Sequence, residues 1–114
     1  MEMTLSTAYF NLNEDYENLI LSNRTYPLTI IHPSPQACGF YGAGRLLGHV
    51  PSLYVHNAHE FMLRTTFPST SKKAPVRMME YERPGWTFHS KGIWAERKDR
   101  KLAATVIGSS NYGA

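Results

Sequence analysis

Trp86-Thr87-Phe88-His89-Ser90-Lys91-Gly92-Ile93-Trp94 follows the turn Arg83-Pro84-Gly85 and reads as part of a strand over 87–96. Strand alternation puts His89 and Lys91 on one face and Phe88 and Trp94 on the other. Imidazole and ammonium then stand side by side, their Cα atoms about 6.5 Å apart. At that spacing a lysine holds a phosphate oxygen while the histidine reaches phosphorus or the leaving oxygen. Gly92 leaves room for the close approach of a ligand or another strand. Downstream, a strand over Leu102 to Ile107 runs into Gly108-Ser109-Ser110-Asn111. A hydroxyl and a carboxamide there can hydrogen-bond a phosphoryl group, and the glycine lets the backbone turn and expose its amides to an anion.

Working outward, Val76 to Glu82 is a further strand, and the charged stretch Arg97 to Lys101 is a turn. Toward the N-terminus, Leu5 to Leu12 has strand composition, and Asn11 and Asn13 offer caps to a helix in which Tyr16, Leu19 and Ile20 recur at helical spacing. Pro27 to His32 is a short strand. Two prolines and four glycines between Pro33 and Gly48 predict an ordered loop. Leu53, Tyr54, Ala58, Phe61 and Met62 form a helical stripe from Pro51 to about Thr65. Pro68 to Pro75 is a surface linker. Helices interleaved with strands, then a run of strands, indicate one mixed α/β domain over 1–114.

Composition narrows the function. The 114 residues suffice for one modest core, and the net charge of +3 is mild. Arg97, Lys98, Arg100 and Lys101 cluster around Asp99 as a solvated turn. One cysteine, Cys38, excludes an internal disulfide and a Cys-rich metal site. His56 and His59 lack companions at a ligand spacing, so no metal is expected. The loop Gly39 to Gly48 lacks the Gly-Lys-Ser/Thr ending of a nucleotide P-loop. Leu46, Leu47, Val50, Leu53 and Tyr54 suit either core or a lipid-facing surface, and core is the expectation.

Taken in order, His89-x-Lys91 and Gly108-Ser109-x-Asn111 resemble the paired motifs of the phospholipase D superfamily. The wider text is similar to the second half of the eukaryotic, mitochondrial phosphatidylglycerophosphate synthases. It includes Ala8-Tyr9-Phe10-Asn11-Leu12, Ser34-Pro35, Gly39-Phe40-Tyr41-Gly42-Ala43, Arg83 to Trp94 and Gly108 to Ala114. The resemblance implies an α/β half-domain of that superfamily, its mixed sheet flanked by helices. It implies transfer of a phosphatidyl group from CDP-diacylglycerol to glycerol 3-phosphate with release of CMP, in mitochondria, with peripheral membrane contact, without a cofactor and without nucleic acid. In the superfamily two His-x-Lys motifs meet, one histidine forming a phosphohistidine and the other protonating the leaving group. By that analogy His89 is the general acid and base. Lys91 and Asn111 stabilise the phosphoryl oxygens, Ser109 supports them, and Arg45 is available to a diphosphate.

The match departs from the pattern in three places. An aspartate is expected five residues after the lysine, where Glu96 stands; it is carried as a candidate catalytic residue, although alternation puts it on the opposite face from Lys91 and favours a structural role. Asp99 has no better claim. The first His-x-Lys motif belongs to an N-terminal half this chain lacks, and the chain ends at Ala114 before the carboxylate that orients the histidine. A fragment inactive alone is therefore expected, completed by that N-terminal half. A phospholipase D-like nuclease or phosphodiesterase and a non-catalytic fragment are the alternatives.

Overall fold

The computed structural model describes residues 1–22, 24–66, 73–99 and 101–113. Its elements are β1 (Glu2–Ser6), α1 (Glu14–Ser22), β2 (Leu28–Pro33), α2 (Val50–Thr66), β3 (Val76–Tyr81), β4 (Gly92–Glu96) and β5 (Leu102–Ile107). They form one five-stranded sheet of order β3-β2-β1-β4-β5. β1, β2 and β3 run parallel, β4 is antiparallel to β1, and β5 is antiparallel to β4. The C-terminal ends of the three parallel strands, the start of β4 and the end of β5 thus share one end of the sheet. Ser6 lies opposite Gly92, and Gly92 opposite Ile107. Open sheets with parallel strands place their ligand sites at this end.

The local reasons for these elements are visible in the chain. The Asn13 side chain accepts the Tyr16 N–H at 3.0 Å, capping α1. Glu14, Asp15 and Glu17 fill its first turn, where the helix dipole favours negative charge. Pro51 sits at the start of α2, and the Arg24 guanidinium donates to the Thr65 carbonyl at 3.0 Å near its end. An ion pair between Arg64 and Glu17 joins the two helices.

The core is the sheet face that both helices cover. Leu5, Leu28 and Ile30 meet Phe10, Leu12, Ala58 and Phe61 there, with Met3, Ile20, Met78 and Ile93 packed against them. Phe10 and Phe61 rings lie 5.5 Å apart and are almost fully buried. Each contributes about 2–3 kcal/mol of apolar burial. α1 has no buried residue, and between it and the sheet lies an apolar cavity of about 340 Å³ bordered by Met3, Leu5, Tyr16, Leu28, Ile93 and Tyr112. β5 is exposed along its whole length.

Two expected strands are shorter than their composition suggests. β1 ends at Ser6, because Thr7 to Leu12 turns away from the ladder to bury Ala8, Phe10 and Leu12. β4 begins at Gly92, because its neighbours β1 and β5 have ended at that level and leave Thr87 to Lys91 no ladder to join. The Pro33 to Gly48 segment contains two 3-10 turns, Pro35–Ala37 and Arg45–His49. The Arg97 to Lys101 turn is closed by the Arg97 N–H on the Lys101 carbonyl at 2.9 Å. Residues 67–72 of the expected linker and Arg100 of the basic cluster fall outside the described residues.

His32 is buried against Phe10, with 5.9 Å between ring centroids, and its Nδ1 lies 3.1 Å from the Pro33 carbonyl. Burial holds its pKa below the ordinary 6.5; the Pro33 carbonyl and Glu80 pull the other way. The unfolded chain therefore binds this proton at a higher pH than the folded one. Stability contributed by neutral His32 is present above pH 6.5 and declines as the pH falls from there toward the lower folded value. Urea midpoints measured from pH 8 to pH 5 should fall less steeply for His32→Asn than for the native chain; equal slopes would remove His32 as the cause.

Candidate active site

The segment entering β4 is held at both faces. The Phe88 N–H donates to the Ala37 carbonyl at 2.9 Å, and the Phe88 ring packs 5.0 Å from Tyr81 at the end of β3. That leaves His89 exposed and Lys91 half-buried. The Lys91 ammonium stands 3.1 Å from Nδ1 and 3.2 Å from Nε2 of His89, and donates to the His89 carbonyl at 3.2 Å. A nitrogen equidistant from both ring nitrogens lies over the ring face, since the in-plane alternative would collide with Cε1. Neither imidazole nitrogen is then consumed by an in-plane bond, and both remain open to a phosphoryl group or a proton.

Tyr9 organises the surroundings. Its ring meets His89 edge-on at 5.8 Å and packs 5.4 Å from both Phe40 and Tyr54. One side chain therefore links the end of β1, the glycine-rich loop and α2 to the histidine. Gly39 lies against the Tyr9 hydroxyl, where an added Cβ would stand 3.3 Å away. Burial raises the Tyr54 pKa, with Cys38 and Tyr9 adding to it, so its hydroxyl stays protonated. Sequence reading missed Tyr9: its aromatic character passed for strand propensity, and the signal that marks it is its place just beyond the sheet's ligand-binding end.

Asn111 is tied to the same network. The buried Thr7 hydroxyl lies 3.0 Å from the Tyr9 carbonyl and 3.1 Å from the Asn111 carbonyl, sharing its one proton between them. The segment is closed by the Asn13 N–H on the Tyr112 carbonyl at 3.0 Å and a bridge between Leu12 and Gly113. Asn111 Oδ1 and Ser6 Oγ are solvent-inaccessible and without a hydrogen-bond partner among the described residues. An orphaned buried acceptor costs about 1–3 kcal/mol; a phosphoryl oxygen cannot satisfy Oδ1, so any contact of Asn111 with phosphate runs through its amide NH2.

Thr7 thus links the Asn111 backbone to that of Tyr9, whose ring touches His89 beside Lys91, and Ser109 is exposed in the adjoining turn. Glu96 is elsewhere. It pairs with Glu2 at the opposite end of β1, five strand residues beyond Lys91, or about 16 Å along the strand. Its placement argues for a peripheral role. Arg45 is exposed on the 3-10 turn before α2, in the left-handed conformation with φ of 57°. Two glycine readings change as well. A Cβ on Gly108 would meet open space, and the left-handed residue of that turn is Tyr112, with φ of 62°. The room beside Gly92 is taken by the Trp94 ring, 2.6 Å from where a Cβ would stand.

A mixed sheet backed by two helices, with a His-x-Lys pair at the ligand-binding end, defines an α/β unit with its candidate site beyond the ends of the parallel strands. Phosphatidylserine synthase of Haemophilus influenzae Rd KW20 has the same fold over 83% of this chain and 22% of its own, with a TM-score of 0.65 and 24% identity. No family model matches the chain. Nearly the whole chain is homologous to one stretch of the CDP-diacylglycerol--glycerol-3-phosphate 3-phosphatidyltransferases. It is 40% identical over 110 residues to the mitochondrial protein of Gallus gallus, and 39% identical over 110 residues to that of Homo sapiens. It is 40% identical over 111 residues to a probable enzyme of that name from Dictyostelium discoideum. Each alignment takes in 96% of this chain, and the chain spans 19% of the length of these relatives.

Proposed function

We propose that this chain supplies one half of a phosphatidyltransferase site that makes phosphatidylglycerophosphate and CMP from CDP-diacylglycerol and sn-glycerol 3-phosphate, in mitochondria and in peripheral contact with a membrane. The observation that carries the proposal is the Lys91 ammonium over the face of His89, in a chain 40% identical to a stretch of proteins named for that reaction. The missing nucleophile comes from a histidine of an N-terminal half. That histidine attacks the phosphatidyl phosphorus, the bond to the CMP oxygen breaks, and protonated His89 gives its proton to the departing CMP phosphate. His89, now neutral, takes the proton of a glycerol 3-phosphate hydroxyl as that oxygen attacks phosphorus and releases the first histidine. Lys91 and the Asn111 carboxamide bear on the non-bridging oxygens, where negative charge grows, and Ser109 adds a hydroxyl beside them. Arg45 belongs to the outer rim of this site, on the glycine-rich loop.

The test is CMP release from CDP-diacylglycerol and glycerol 3-phosphate by the chain alone and joined to an N-terminal half bearing the first motif. Release only from the joined form is the expected result. Absence from both, with folding verified by near-ultraviolet circular dichroism, would overturn the proposal, and hydrolysis of a nucleic-acid phosphodiester by the joined form would replace it with a nuclease.

A further inference from the structure

We infer that the 3-10 turn Arg45–His49 and the first turn of α2 form the surface by which this chain docks on an anionic lipid bilayer. Core packing was the expectation for these leucines, and the structure places them outside. Leu46 is 84% exposed, Leu47 and Leu53 are each 55% exposed, and Tyr41 is 60% exposed. The 3-10 turn has no buried residue at all. Four large apolar side chains within thirteen residues, none of them in the core, expose apolar surface that water disfavours.

Charge selects the occupant. No Asp or Glu occurs between Glu17 and Glu60, so the loop and the start of α2 carry no negative charge. Arg45, His49 and His56 are exposed around the leucines. Arg45 has no side-chain partner among the described residues, and its left-handed backbone sits directly before Leu46. Apolar side chains beside an exposed arginine, in a segment free of acidic residues, match the boundary between acyl chains and anionic headgroups. The described residues include no helix long and apolar enough to cross a bilayer, so the contact is peripheral.

Position links the patch to the site. Leu53 precedes Tyr54, and Tyr41 follows Phe40; Tyr54 and Phe40 are the two rings that hold Tyr9 against His89. A bilayer engaged by Leu46, Leu47 and Leu53 therefore lies against the wall of the His89 site, where a lipid substrate enters without leaving the membrane. In that consequence the inference rests on the phosphatidyltransferase reading; the docking itself does not.

Two measurements separate them. Sedimentation with phosphatidylcholine vesicles containing phosphatidylglycerol should carry the chain down, pure phosphatidylcholine vesicles should carry less, and salt should weaken the binding to the anionic vesicles alone. The double variant Leu46→Ser/Leu47→Ser should bind the anionic vesicles at least about tenfold more weakly. Both leucines are exposed, so the fold survives, as unchanged circular dichroism would verify. In the joined enzyme, the double variant should lose CMP release from vesicle-borne CDP-diacylglycerol and keep it with a short-chain, water-soluble analogue. Equal vesicle binding by native and variant chains, or none by either, would overturn the docking surface. So would loss of association with the N-terminal half instead of with vesicles, which would make the patch a protein interface. Vesicle binding without CMP release from any substrate would leave docking intact and remove the enzymatic reading.

Discussion

His89→Ala in the joined enzyme is expected to lower CMP release by on the order of 10⁴-fold, because it removes both the acid of the first step and the base of the second. His89 is exposed and its ring lies against Tyr9 and Lys91, outside the core cluster, so the substitution should move the urea midpoint little. Glu96→Gln is the matched control. It alters a carboxylate about 16 Å along the strand from Lys91, and its effect on turnover should stay within severalfold. Comparable losses from the two variants, both folded, would contradict the roles assigned to them. Single-turnover CMP release, with saturating enzyme in excess over substrate, measures the chemistry apart from binding and product release.

The largest loss of stability is expected from Phe61→Ala, at about 3–5 kcal/mol. Phe61 is 1% exposed and joins α2 to the sheet through Phe10, itself 1% exposed and packed on His32. Truncating it opens a cavity between rings that rigid strands on one side and a helix on the other hold apart, so little collapse can fill the space. Domains of this size have only about 5–15 kcal/mol in total, which makes the change visible as a large shift in urea midpoint. The variant should also lose part of the pH dependence assigned to His32, because water reaching Phe10 would reach the imidazole. An unfolding free energy within about 1 kcal/mol of native would show that α2 is held by other contacts.

Helices were well marked in the sequence because their signals are local. Asn13 before three acids starts α1, and Pro51 with the stripe through Ala58 and Phe61 defines α2. His89 and Lys91 were legible for a similar reason, since two residues of spacing fix their adjacency in any extended backbone. Strand limits depend on what lies alongside. Thr87 to Lys91 has strand composition and no neighbouring ladder, and Tyr9, Phe10 and Leu12 owe their apolar character to packing beyond the end of β1. The link from Asn111 through Thr7 to Tyr9 joins residues 104 apart, which no local pattern encodes. The leucines of the docking surface failed for a different cause: apolar spacing on a helix does not say whether the partner is protein or lipid.

β5 offers six exposed residues, Leu-Ala-Ala-Thr-Val-Ile, with no charge and no proline, on a strand that among the described residues pairs with β4 alone. An uncharged edge of this kind accepts a strand from another source, another molecule of the same chain included. Concentrating or warming the isolated chain is therefore expected to draw β5 edges together while each molecule is still folded, which light scattering ahead of unfolding would register. The charged turn before it, with Asp99 and Lys101 paired at 4.0 Å, is the gatekeeper beside that edge.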